Sequence, residues 1–330
     1  MSQRTASDAT NATIAEQHAT YWLADGSIVL EIQSLQFKIH RTLLVRHSPY
    51  LASILPTPPS ESILSIQCAS IDPAREVSAR DFVVLLAHLY HDALLSPETP
   101  FPRLASVIRI TSPNQLHFPR IHELALRYFV EMFPSGPAPF LHPPHLEEAL
   151  ALAQKYGVQS IQKGIIYSLV TTTDFQIDTD GGSEGLERRA PSSDTEKSPV
   201  TENIDPAVGD ATEAFISSGS AHKHVLPPRE AQRCMRLMTS FIEHFSPLLF
   251  TAPAAKHMDC TDVFAGTWMG LVIQPAIEDD GVYKPLETLE RFKRVDWAKA
   301  GLCEACVLEK HAEWTEEQRV IWEAMDGWLA

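Results

Sequence analysis

Apolar and polar positions alternate over two short stretches near the start of the chain. Ile28, Leu30 and Ile32 form the first, Leu35, Phe37 and Ile39 the second, and Gln33-Ser34 separates them. A period of two puts each apolar set on one face, which predicts two half-buried strands joined as a hairpin. Ser48-Pro49 follows as an N-cap with proline at the first helical position, leading into Tyr50, Leu51, Ile54 and Leu55 until Pro56-Thr57-Pro58-Pro59 stops any helix. Ile63, Leu64 and Ile66 are expected to supply a third strand. At Phe82, Leu85, Leu86, Leu89 and Tyr90 the period lengthens to that of one helical face, with Asp81 or Ser78 as the cap.

Residues 97–144 are rich in proline and read as an irregular insertion around one helix, Ile121 to Phe133. Leu146, Ala149, Leu150, Ala153 and Tyr156 make a further helical stripe that Gly157 ends, and Ser160 caps a partner helix carrying Ile161, Ile165 and Leu169. From 171 to 224 the chain turns to Asp, Glu, Ser, Thr, Gly and Pro, too poor in apolar residues to offset chain entropy, and is expected to be a disordered acidic linker. Beyond 225, five tryptophans (Trp268, Trp297, Trp314, Trp322 and Trp328) offer enough apolar surface for a helical unit. Thr315 with Gln318 forms a capping-box pattern for its last helix. The expected organisation is therefore α+β: a polar tail at 1–19, a mixed unit at 20–170, the linker, and a helical unit at 225–330.

Composition narrows the function classes. A formal net charge of −15 repels a phosphate backbone and excludes nucleic acid as a direct partner. Residues 1–17 hold no apolar run, which predicts neither a signal peptide nor a membrane span. The five cysteines, an odd and sparse set, fit free thiols in a reducing compartment and so the cytoplasm or nucleus.

The stretch YWLADGSIVLEIQSLQFKIHRTLLVRHSPYLASIL, residues 21–55, resembles the opening of a BTB/POZ domain. The resemblance is carried by Phe37, His40 and Arg41, the apolar pair ending at Leu44, and Ser48-Pro49. DFVVLLAHLY and LEEALALAQKYGVQSIQKGIIYSL are similar to that family's central helix and closing helical pair. Together with the ending LCEACVLEKHAEWTEEQRVIWEAMDGWLA, the wording resembles BTB proteins of the type expanded in mushroom-forming fungi. The resemblance implies an interaction fold, often homodimeric, that recruits a cullin ubiquitin-ligase scaffold or a transcriptional co-regulator. Where many members carry an aspartate ten residues before Phe37, this chain has Ser27; Arg41 keeps the basic half of that charged pair, with Asp25 nearby in sequence.

One constellation points to chemistry. His257-x2-Cys260 and Cys303-x2-Cys306 are two pairs of soft ligands which, if brought together, suit a tetrahedral structural zinc, although forty-two residues separate the pairs and each pair also reads as ordinary core or surface. The C-x2-C pair lacks the surroundings of a thioredoxin-like redox motif. His40 reads as structural, His142 and His145 lie among prolines without a shared face, and His88 and His91 are expected to be solvated. No nucleophile elbow, Walker loop, zincin motif or dinucleotide fingerprint occurs, and Gly181 to Gly185 sit in the acidic segment, so no catalytic residue or cofactor is expected beyond the zinc alternative. Ser198-Pro199 in that segment reads first as plain loop punctuation and also matches a phosphorylation dipeptide.

Overall fold

The alternation at Ile28–Ile39 folds as a hairpin in the computed structural model, which describes residues 16–56, 67–137, 142–172 and 227–330. Strands β2 (Ile28–Ile32) and β3 (Leu35–Ile39) are antiparallel, with Leu30 opposite Phe37, and Gln33 takes a left-handed turn conformation (φ 56°) between them. Two further strands flank the pair. β1 (Glu16–Trp22) runs parallel to β3, and β4 (Gln67–Ser70) runs parallel to β2, giving the order β1-β3-β2-β4. The expected third strand at Ile63–Ile66 lies outside the described residues, as do the acidic segment from 173 on, Ser198-Pro199 and the Gly181–Gly185 run.

β1 corrects the reading of residues 1–19 as a tail at Glu16–Ala19, residues 1–15 lying outside the described residues. It is an edge strand in which only Tyr21 is buried, so its sequence shows no alternation, and its backbone bonds are supplied by β3.

Helices α1 (Arg41–His47) and α2 (Pro49–Ile54) follow the hairpin and pack on each other. Ser48, fully buried, caps α2: its Oγ accepts from Leu51 N at 2.9 Å and donates to Leu116 O. Helix α3 (Ala79–Leu89), capped by Ser78, presses Phe82, Leu85 and Leu86 onto the sheet; Phe82 meets Phe37 edge-on at 5.0 Å. The other candidate cap, Asp81, is instead buried in the first turn and bonded to Arg109.

Residues 97–144 are not an irregular insertion. They contain α4 (Phe101–Thr111), which packs on α3, and α5 (Pro119–Glu131), which packs on α4. Their prolines start helices rather than break them, because proline in the first turn removes an N–H that has no intrahelical partner anyway. Helix α4 buries eight of its residues and leaves Pro102 exposed, with Arg103 and Arg109 half-buried beside it. Helices α6 (Leu146–Lys155) and α7 (Gln162–Thr172) then pair as expected.

The remaining chain is helical: α8 (Pro228–Phe250), α9 (Met258–Trp268), a π-helical turn at Met269–Ile273, α10 (Gln274–Glu278), α11 (Pro285–Arg294), α12 (Trp297–Ala300) and α13 (Glu304–Trp328). Phe264, Trp268, Phe292, Trp297 and Trp314 form one aromatic cluster with ring centroids 5.0–6.5 Å apart. Two indoles satisfy their N–H inside it, Trp268 to Leu249 O at 2.9 Å and Trp297 to Phe292 O at 2.8 Å. The proposed capping box is not one, because α13 begins eleven residues before Thr315. The Thr315 hydroxyl donates back to His311 O, and Gln318, buried, bonds Leu286 O and Lys293 Nζ.

The two halves meet through α7. Tyr167, fully buried, donates its hydroxyl to Glu287 and accepts from Leu286 N at 3.2 Å, while its ring packs edge-on against Phe241 of α8. Gly164 allows the close approach on this helix: a Cβ there would lie 2.7 Å from Pro134 O. Among the described residues, no helix is long and apolar enough to cross a membrane.

Candidate metal centre

The two soft-ligand pairs occupy equivalent positions on two different helices. His257 is the N-cap of α9 and Cys260 lies in its first turn; Cys303 is the N-cap of α13 and Cys306 lies in its first turn. An x2 spacing across a helix start puts the cap side chain and the third helical residue on the same side, the geometry that capping boxes use. Four donors therefore project from two helix N-termini, where exposed N–H groups and the helix dipole favour negative sulfur.

Several local features bring the two ends together. Thr261 braces the approach to α9, accepting from Ala255 N at 2.9 Å and donating to His257 O at 3.2 Å. Gly301, at φ 115°, ends α12 in a left-handed conformation that few other residues adopt and turns the chain into Cys303. Lys256 reaches Glu309 at 2.9 Å and spans the same gap beside the cysteines.

The donor atoms of His257, Cys260, Cys303 and Cys306 all lie within 4.8 Å of one another. His257 Nδ1 is 3.2 Å from Cys303 Sγ and 3.5 Å from Cys306 Sγ, and the Cys260 and Cys303 sulfurs are 3.7 Å apart. A tetrahedral zinc with its usual bond lengths has sulfur–sulfur edges of about 3.8 Å and sulfur–nitrogen edges of about 3.6 Å. The cluster can thus hold a metal such as zinc with small adjustments of the side chains.

Exposure differs within the set. Cys306 is 1% and Cys260 5% exposed, whereas Cys303 is half-buried and His257 exposed. The Cys303 thiol is lowered to about 6, first by the backbone N–H of Cys306 and then by the Cys306 thiol and His257, while burial raises that of Cys306. A thiolate beside a protonated neighbour is the state from which a soft cation displaces protons.

The other residues singled out in the sequence are arranged differently. Phe37 and Leu44 are core, and Ser48 and Pro49 start α2. Ser27 Oγ accepts from Arg41 N at 3.0 Å, tying the entry of β2 to the start of α1. Arg41 does not meet Asp25: its guanidinium reaches Leu55 O, and its Nε is buried with no partner among the described residues. Asp25 instead pairs with His40 Nε2 at 3.1 Å, and His40 Nδ1 faces the Tyr90 hydroxyl at 3.0 Å. His142 and His145 are drawn apart, the first to Glu287 at 2.7 Å and the second onto the ring of Phe101. His88 is not solvated; half-buried, it accepts from Leu95 N at 3.2 Å, and burial lowers its pKa. His91 is exposed.

Sequence reasoning missed Thr261, Gly301 and the Lys256–Glu309 pair. Of these only the glycine carried a local signal, as a helix-ending residue two positions before Cys303. Set against protein-family models and against curated proteins, the chain matches none.

Proposed function

We propose that this chain is a zinc-stapled interaction scaffold that acts through its surfaces rather than through a reaction, with its N-terminal half serving as a docking module of the BTB/POZ type. The observation that carries the reading is the convergence of His257, Cys260, Cys303 and Cys306 at the starts of α9 and α13. Four protein donors complete the tetrahedral shell of zinc and leave no position for water or substrate, which is the arrangement of structural rather than catalytic sites. Three sulfurs also favour zinc over the hard cations magnesium and calcium.

Support for the docking role comes from the order of elements. The β2–β3 hairpin, the Ser48-capped helix, the central helix α3 and the closing pair α6–α7 follow one another as the BTB/POZ resemblance implies. On this reading the N-terminal half binds a cullin scaffold, a co-regulator or a second copy of itself, and the zinc-held half supplies a second binding surface.

Full-length protein purified without chelator from cells of the source type tests both parts in one preparation. Elemental analysis should find one zinc per chain, and none in a Cys260→Ser/Cys306→Ser variant; a chain that stays metal-free after zinc reconstitution sinks the zinc reading. Mass spectrometry of co-purifying proteins should find a cullin or a co-regulator. If neither is present and the chain is monomeric, the docking reading fails.

A further inference from the structure

The arrangement of the three sulfurs supports a reaction as well as a ligand set. We propose that hydroperoxide oxidation joins Cys260 to Cys303 in a disulfide that displaces the metal and takes over its task of tying α9 to α13. The inference rests on the zinc reading above and adds a regulated state to the same site.

Three observations carry it. Cys303 is the accessible sulfur, half-buried at the start of α13, whereas Cys260 and Cys306 are 5% and 1% exposed, so an oxidant from solvent meets Cys303 first. The Cys260 sulfur waits 3.7 Å away, in contact, and a disulfide needs the two to close to about 2.05 Å, a distance that rotation of first-turn side chains can cover. Finally, the two cysteines belong to different helices. A Cys260–Cys303 bond joins the same two helix ends that the metal joins, while a Cys303–Cys306 bond would stay within one turn of α13 and release α9. Of the remaining cysteines, Cys234 is 1% exposed within α8 and out of reach of solvent, and Cys68 is exposed on β4.

The chemistry balances in two steps. The Cys303 thiolate attacks the outer oxygen of the hydroperoxide; the O–O bond breaks, a sulfenic acid forms, and the leaving oxygen departs as alcohol or water after taking a proton. The Cys260 thiolate then attacks the Cys303 sulfur; the S–S bond forms, the S–O bond breaks, and the hydroxide leaves as water. The two sulfurs together give up two electrons, which reduce the peroxide. Neither sulfur is then a thiolate ligand, and the ion keeps only His257 and Cys306, too few donors to hold it. A reducing dithiol restores both thiolates and the site reloads.

The test uses the full-length chain with Cys68→Ser, which removes the exposed thiol, loaded with zinc and titrated with hydrogen peroxide. Released zinc is followed with a chromogenic chelator, and the linkage is mapped by non-reducing peptide mass spectrometry. The expected result is the loss of one zinc per chain together with two thiols, a Cys260–Cys303 linked peptide, and recovery of zinc binding after dithiothreitol and fresh zinc. Zinc retained while thiols are consumed, a Cys303–Cys306 link, or oxidation beyond sulfenic acid without any link overturns the exchange and leaves the zinc reading intact. Absence of zinc before peroxide is added overturns the zinc reading itself, and the exchange with it.

Discussion

Helices α4 and α9 are both eleven residues long, and they are held in place by different means. Helix α4 buries eight side chains, among them Phe101, Leu104, Val107, Ile108 and Ile110, between α3 and α5. Helix α9 buries three, Cys260, Phe264 and Trp268, in a single stripe one side chain wide, and the turn that follows leaves Met269 and Leu271 facing solvent, as α10 does Ile277. The contrast extends to the halves they belong to. Around the sheet, backbone ladders fix which side chains face each other before packing begins. Among the described residues of the C-terminal half there is no strand, so the relative placement of α9, α11 and α13 depends on large aromatic rings and on whatever joins the helix ends. A metal held by His257, Cys260, Cys303 and Cys306 would supply the hold that a thin apolar stripe does not, because ligands at the N-cap and first turn, with Phe264 and Trp268 in the second and third, would fix α9 along its whole length.

On the zinc proposal, the largest effect is therefore expected from removing the metal. Structural zinc contributes on the order of 10 kcal/mol to small folds that depend on it, more than any single buried side chain. Hydrogen exchange followed by mass spectrometry on the full chain, before and after treatment with a zinc chelator, should show α9 and the first turns of α13 losing protection while β2, β3 and α4 keep theirs. The mirror experiment is Phe82→Ala, which empties the sheet core at a cost of about 3–5 kcal/mol and should expose the sheet amides with the zinc content unchanged. If chelation loosens both halves equally, the metal is not a local staple and the contrast between α4 and α9 is lost.

How far each half was legible follows from the same contrast. The β2–β3 hairpin, α3 and α6 bury one face and expose the other, so their periods are written in the sequence; α7, which buries eight of its eleven residues, was marked instead by the Gly157 stop before it. Helix α4 was hidden by Pro100 and Pro102, which read as breakers although they stand at its start, and β1 is an edge strand with one buried side chain and so no period to read. The candidate metal ligands were visible as two x2 pairs, yet nothing local shows that forty-two residues of chain fold back to bring them together. Thr315 and Gln318 mislead for the opposite reason. A capping-box pattern and a mid-helix pair have the same spacing, and only the length of α13, set by its contacts with α11, decides between them.

A smaller effect is expected at the boundary between the halves. Tyr167→Phe keeps the ring packed against Phe241 but withdraws the hydroxyl that donates to Glu287 and accepts from Leu286 N, taking a partner from the buried Leu286 N–H at a cost of about 1–3 kcal/mol. The contact ties one half to the other, so the loss should appear as separation of a single unfolding transition into two in calorimetry. A single transition shifted to lower temperature would mean that the halves remain coupled through other contacts, such as Lys163 with Asp326 at 2.8 Å.

The smallest effect separates the halves by pH. In the sheet half, burial lowers the pKa of His88 below its ordinary 6.5, and its Nδ1 accepts from Leu95 N, a bond that only a neutral nitrogen facing that N–H can accept. The unfolded chain therefore takes up a proton at a higher pH than the folded one does. The stability this histidine contributes is fully present above 6.5, declines as pH falls below that value, and is gone once pH passes the lower folded pKa. His88→Asn places an amide oxygen where Nδ1 stands, so the acceptor is kept and the titration removed. Urea midpoints measured between pH 7 and 5 should fall less steeply for the variant than for the parent, in probes of the sheet half alone. Chain with chelated zinc should show the same difference, because His88 lies on α3 and owes nothing to the ligands on α9 and α13; equal slopes in variant and parent would remove His88 as a source of acid sensitivity.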